Sequence, residues 1–248
     1  MIAVDDKAGS ALTWAIEVQG LAKSFGNYHA LRDIDLKVKK GERLVIFGPN
    51  GAGKTTMIKL LSTLSKPSAG KIRLDGIDIS NDPVQVRRKV SVVSHETFLY
   101  DSLTLYENLK FYGRMYDVPN LECRISEVAS QMQVESRLYD RVGTLSRGLQ
   151  QRASIARAVV QDPSIMLLDE PEVGLDPHGV IMMRDALDIL DHPDRTVVMT
   201  THNLEQGLNM SDQVVILDRG KLVYEALRHE IETENFQEIY DRCTRMSK

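Results

Sequence analysis

The run Gly48-Pro-Asn-Gly-Ala-Gly-Lys-Thr-Thr56 constrains the fold of this 248-residue chain more than any other stretch. It fits G-x-x-x-x-G-K-[ST], with the apolar Leu44-Val-Ile-Phe47 before it and the helical pattern Met57-Ile-Lys-Leu-Leu61 after it, the strand, loop and helix that the pattern requires. Gly48, Gly51 and Gly53 let the backbone turn tightly and bring successive N–H groups round an anion, because no Cβ blocks positive φ or close approach. Pro49, Asn50 and Ala52 complete the cradle. A helix predicted over 54–63 points its unpaired N–H groups and positive dipole end at the same place. Lys54 is then placed to reach the β- and γ-phosphates of a nucleotide, the Thr55 hydroxyl to ligate Mg2+, and Thr56 to add a phosphate hydrogen bond. The alternative is a glycine-rich turn that binds nothing, and the flanking strand and helix weigh against it.

At this length, one α/β core or two small domains are both open. Hydrophobic residues make up 42% and charged residues 27%, which are globular values and exclude bulk disorder. The net charge is −4 and the Lys and Arg residues are scattered, so nucleic acid is disfavoured as a partner. No apolar run approaches the roughly 20 residues needed to cross a bilayer. Residues 1–13 lack the apolar core of a secretory signal and read as a flexible leader, so a soluble, cytoplasmic protein is expected. Cys123 and Cys243 have no companion at metal spacing, which leaves free thiols as the expectation.

The patterning then divides the chain. Segments 14–21 and 34–38 alternate as half-exposed strands, with turn chemistry at Gly26-Asn27 between them, so an antiparallel β layer comes first. Strand 71–74 ends in a hairpin at Gly76, Asp82-Pro83 caps a short helix through Arg88, and strand 90–93 follows. Residues 103–141 change character. Leu105, Leu109, Tyr112, Met115 and Tyr116, then Ile125, Val128, Ala129 and Met132, recur at helical spacing, which predicts a helical subdomain inserted over 96–148. A helix over 149–160 precedes Ile165-Met-Leu-Leu168, a short run that is apolar throughout, as in parallel strands buried on both faces. Helix 178–190, strand 196–199, helix 203–209 and strands 213–217 and 222–224 are expected next. The tail, 226–248, has a weak helical pattern.

Three further stretches carry chemistry. Asp169 and Glu170 end a buried parallel strand, where open α/β sheets bind ligands. There Asp169 suits a Mg2+ partner and Glu170 a base or positioner for attacking water, although acids are also common in plain strand-ending turns. His202 follows strand 196–199 at the same end of the sheet and can hydrogen-bond a γ-phosphate, although a His before Asn is by itself more often a capping or surface residue. In Leu145-Ser-Arg-Gly-Leu-Gln-Gln151, Ser146 precedes a helix and Gly148 permits close backbone approach, a second phosphate-facing N-terminus where a plain N-cap is the competing reading. One nucleotide needs one cradle, so the second has a duty only toward a nucleotide held by another subunit.

In their order and spacing, loop 48–56, the stretch at 145–152, the acidic strand 165–170, Gly174-Leu-Asp176 and His202 resemble the nucleotide-binding subunit of ABC transporters, over about residues 15–225. The resemblance implies an α/β fold of the P-loop NTPase type: a RecA-like parallel core with an antiparallel β layer and an inserted α-helical subdomain, the ATPase domain filling 14–225. It implies ATP and Mg2+ as ligands, hydrolysis of ATP, and an ATP-dependent head-to-tail homodimer with each nucleotide between one subunit's loop and its partner's Ser146 stretch. It also implies integral membrane subunits on separate chains and a peripheral place on the cytoplasmic face of the inner membrane. Phe25 matches the aromatic residue that stacks on adenine, with a core position as its alternative. Asp176 matches the loop that crosses the dimer interface.

Two departures mark the branch. His95 stands where the family usually has a Gln that senses Mg2+ and whose loop meets the membrane subunit; an imidazole still accepts a hydrogen bond from metal-bound water. Arg147 and Leu149 replace a Gly and a Gln, while Ser146 and Gly148 remain. Together, Ser94-His95-Glu96 and Leu145-Ser-Arg-Gly148 resemble the ATPase of haem exporters of bacterial cytochrome c maturation. The nearest competitor is the ATPase of drug, polysaccharide or lipid exporters.

Overall fold

The computed structural model describes residues 14–94, 96–173, 180 and 194–245. A six-stranded sheet of order β10-β9-β3-β8-β7-β6 forms the centre. β3 (Arg43–Phe47) runs parallel to β8 (Thr196–Thr200) on one side and to β9 (Gln213–Asp218) on the other. β7 (Ile165–Asp169) and β6 (Val90–Ser94) continue in parallel beyond β8, and β10 (Lys221–Leu227) closes the far edge antiparallel to β9. Register sets the site: Asp169 lies opposite Thr200 on one neighbour and Ser94 on the other, so the C-terminal ends of three strands meet.

The inner parallel strands are largely apolar because both faces are covered. Leu44, Ile46, Ile165, Leu167, Val198, Val215 and Leu217 face one core, shared with Met57 and Leu60 of α1 (Lys54–Leu61). Val45, Phe47, Met166, Leu168, Met199, Val214 and Ile216 face the other, shared with the helices 105–159. Alternate residues thus sort to opposite sides, as a pleated strand requires.

Over the first core lies an antiparallel sheet of order β2-β1-β4-β5, from β1 (Trp14–Phe25), β2 (Tyr28–Lys39), β4 (Ala69–Leu74) and β5 (Ile77–Asp78). β1 and β2 are longer than their alternation suggests. Register shifts after Val18 and Leu21 break the period of two, which hides the outer half of the hairpin that ends in the pair Phe25 and Tyr28.

The second core is helical. α2 (Pro83–Lys89) starts as expected, with Asp82 accepting from the Gln85 amide at 2.9 Å and Pro83 in the first turn. α3 (Leu105–Met115) has a capping box: Thr104 Oγ1 accepts from Glu107 N at 3.1 Å and Glu107 Oε2 from Thr104 N at 2.8 Å. α4 (Leu121–Gln131) and α5 (Arg147–Val159) pack Ile125, Val128 and Ala129 against Ile155, Ala156 and Val159. Arg157 binds this subdomain to the sheet: its guanidinium donates to Val92 O at 2.7 Å and lies 5.5 Å from the ring centres of Phe98 and Tyr112.

After β8 comes the short α6 (Leu204–Asn209), and after β10 two single-turn 3-10 helices lead into α7 (Phe236–Arg245). Phe236 is fully buried, and its ring centre lies 5.2 Å from that of Phe47. The weak helical pattern of the tail therefore conceals a core anchor. A Cβ at Gly207 of α6 would meet the Phe47 ring at 2.5 Å, so α6 can sit this close only with glycine there. The expected leader 1–13 and helix 178–190 lie outside the described residues, apart from Val180.

Candidate active site

The loop after β3 is built by close backbone approach. Gly48 has φ +154°, and a Cβ there would lie 2.3 Å from Leu217 O on β9; at Gly53, φ +110°, it would lie 2.7 Å from Ala30 O. Gly53 is the N-cap of α1, so the free amides of the first turn open toward the loop. Lys54 folds back under it, 5% exposed, donating to Gly48 O at 2.7 Å and Pro49 O at 3.3 Å, with Glu170 Oε1 3.2 Å from its ammonium.

The strand ends supply oxygen. Asp169 Oδ1 accepts from the Thr55 hydroxyl at 3.2 Å and from the Thr200 hydroxyl at 2.8 Å, and Asp169 is buried. Thr200 Oγ1 in turn accepts from the Glu170 amide at 3.0 Å. Glu170 adopts φ +44°, a left-handed conformation that costs a residue with a Cβ about 1–3 kcal/mol and persists where its surroundings hold it. Thr55 and Asp169 are hard oxygen donors on one spot, which fits Mg2+, an ion held by one or two protein oxygens and the phosphates of its substrate. No cluster of three or more His, Cys, Asp or Glu able to hold a metal by itself occurs among the described residues.

A cavity of ≈ 260 Å³ opens over the loop. Asn50, Gly51, Ala52, Gly53, Lys54, Thr55 and Thr56 form its floor, Glu170 one wall, and Phe25 and Tyr28 its rim. Phe25 is 54% and Tyr28 60% exposed, a pair of aromatic faces in solvent beside an anion cradle. Lys23 Nζ stands 4.8 Å over the Phe25 ring, and the Tyr28 hydroxyl donates to Gly51 O at 3.4 Å.

His202, Ser146 and Gly148 are not among the residues that line this cavity. His202 is exposed, between Thr200 at the end of β8 and Asn203, whose Oδ1 accepts from Gln206 N at 3.1 Å to cap α6. Ser146 is exposed and caps α5, accepting from the Leu149 amide at 3.4 Å; Gly148 is half-buried in the first turn. No hydrogen bond joins this turn to loop 48–56 within one chain among the described residues. His95 and Asp176 lie outside the described residues.

Sequence reasoning passed over Tyr28 and Thr200. Tyr28 was findable, since it pairs with Phe25 across the turn at Gly26-Asn27 and so shares its face. Thr200 carried no signal, because its role depends on the register of β7 against β8.

A family model described as "ABC transporter" matches residues 31–173, more than half of the chain. The chain belongs to the ABC transporter family. It is 35% identical over 214 residues to the ABC transporter ATP-binding protein NatA of Bacillus subtilis (strain 168), covering 85% of this chain and 87% of that protein. It is 33% identical to the Nod factor export ATP-binding protein I of Rhizobium johnstonii, covering 91% and 73%. Among solved structures, an ATP-binding cassette in a dimeric post-hydrolysis state bound to ADP and Pi is similar with a TM-score of 0.77 and 27% identity, over 86% of this chain and 98% of that one. This ABC subunit thus has the P-loop NTPase fold and is an ATPase, the ATP-binding part of a transporter. No helix among the described residues is long and apolar enough to cross a membrane.

Proposed function

We propose that this ABC subunit hydrolyses MgATP between two head-to-tail copies of itself and so powers export through separate membrane subunits, at the cytoplasmic face of the cell membrane. The observation that carries this reading is Lys54, Thr55, Asp169 and Glu170 gathered under one cavity, with a second capped helix start at Ser146 left exposed elsewhere on the chain. Phe25 stacks on the adenine ring, the amides of 50–54 hold the β-phosphate, and Lys54 binds the β- and γ-phosphates. Thr55 and Asp169 would hold Mg2+, which would supply charge stabilisation to the phosphate oxygens. Glu170 takes a proton from the attacking water, and His202 hydrogen-bonds the γ-phosphate to keep that water in line. Ser146 and the amide of Gly148 close on the partner's γ-phosphate, with Asp176 crossing the interface between them.

The fit of a dimeric solved cassette with ADP and Pi supports the two-copy arrangement. For the membrane partner, a groove of ≈ 250 Å³ lies between β6 and the helical subdomain, where Leu64 and Phe98 are exposed and Tyr112 and Tyr116 line the wall. For the cargo, His95 and Arg147 support haem export for cytochrome c maturation. Similarity to a Nod factor export protein supports the second reading, the ATPase of a drug, polysaccharide or lipid exporter. Phosphate release is the test of the enzyme: wild type hydrolyses ATP, and Lys54→Ala loses both binding and turnover. Co-purification decides the cargo branch, since recovery of a permease unrelated to cytochrome maturation retires haem export.

A further inference from the structure

Three consecutive residues of the turn after β7 are each tied to a different part of the site. Glu170 faces Lys54, the Pro171 carbonyl accepts from Gln151 Nε2 at 3.1 Å, and the Glu172 carboxylate accepts from the Thr201 hydroxyl next to His202. Gln151 belongs to α5, whose first turn is the exposed Ser146 cap. Gln151 is 5% exposed, and a buried amide is placed by the acceptor it finds. The turn it holds is the one with Glu170 at φ +44°, a conformation that neighbours must impose.

We propose that Gln151 is a positioning residue that registers the partner-facing end of α5 on Glu170. This rests on the dimer reading given above. α5 is buried along most of its length, so a shift of its first turn as Ser146 meets the partner's nucleotide carries Gln151 with it. Gln151 pulls on the carbonyl of Pro171, whose ring fixes φ, and the adjustment passes to the left-handed Glu170 before it and to Glu172 after it. Closure on one nucleotide thereby sets the carboxylate and, through Thr201, the imidazole that act on the other. Without the Gln151 tie, both nucleotides still bind, but Glu170 is held out of line.

The test uses full-length protein, with rates taken per folded protein from thermal melts. Gln151→Met keeps the volume and removes the donor. Its kcat is expected to fall at least about tenfold with the KM for ATP within about twofold, the pattern of an interaction made only in the transition state. Gln151→Glu adds a pH readout that packing alone does not move. The ionised carboxylate cannot donate to Pro171 O, whereas the protonated carboxyl can, and burial lifts its pKa above the ordinary value of about 4.3. The ratio of its kcat to that of wild type therefore rises as pH falls from about 8 to about 6. A Gln151→Met kcat within about twofold of wild type, or a Gln151→Glu ratio flat with pH, overturns the proposal and leaves the dimer reading intact. A Glu170→Gln protein that stays monomeric in MgATP overturns both.

Discussion

Lys54 Nζ lies 3.2 Å from Glu170 Oε1, with the two side chains 5% and 26% exposed, so the carboxylate proposed as the base occupies the ammonium proposed to bind phosphate. On the proposed mechanism a triphosphate competes with Glu170 for Lys54, and binding frees the carboxylate for water. Glu170→Gln removes the competing charge and the base together. Its ATP affinity, by titration calorimetry, is expected to equal or exceed that of wild type, while kcat falls about 10²–10⁴-fold. A loss of affinity in that variant would count against the competition.

Phe25 and Tyr28 stand in solvent at the hairpin tip, where no core explains them. Phe25→Ala is expected to weaken ATP binding by about 1–3 kcal/mol, the range for a base stacked on an aromatic ring. Phe25→Trp keeps the stacking face and should bind near wild type. Equal ATP affinity in all three proteins would remove Phe25 from the adenine site.

Phe236 buries its ring on Phe47, the residue before Gly48, so the tail belongs to the core that supports the phosphate loop. Phe236→Ala is expected to cost about 3–5 kcal/mol. At about 2–4 °C per kcal/mol for a domain near this size, the melting temperature drops by roughly 6–20 °C. A drop under about 2 °C would show the tail to be dispensable.

Tyr112 and Tyr240 have phenol pKa values raised chiefly by burial. Raised values favour the protonated form in the folded state, so their contribution is intact below the unfolded pKa of about 10 and is lost as pH climbs through the higher folded value. The urea midpoint should fall above about pH 10, and less steeply in a Tyr112→Phe, Tyr240→Phe double variant. Identical slopes in the two proteins would refute the assignment.

Much of this was legible in the sequence, for identifiable reasons. Loop 48–56 needs glycine where backbone meets backbone, and the wholly apolar Ile165-Met-Leu-Leu168 needs cover on both faces, so composition and geometry say the same thing there. The outer half of the β1–β2 hairpin was hidden by register shifts, and with it Tyr28. The anchor at Phe236 was hidden because one aromatic among charged residues carries little periodicity, and what buries it is a strand nearly two hundred positions away. Thr200 and Gln151 act through hydrogen bonds set by strand register and helix docking, which no local pattern encodes.

The central claim is that two copies complete each other's triphosphate pocket, Lys54 of one opposite Ser146 of the other. Light scattering on size-exclusion chromatography of Glu170→Gln tests it most directly, with and without Ser146→Arg, in saturating MgATP. The account predicts a dimer for Glu170→Gln and a monomer for the double variant with ATP still bound. A monomer for Glu170→Gln itself, or a dimer that Ser146→Arg leaves intact, would contradict it.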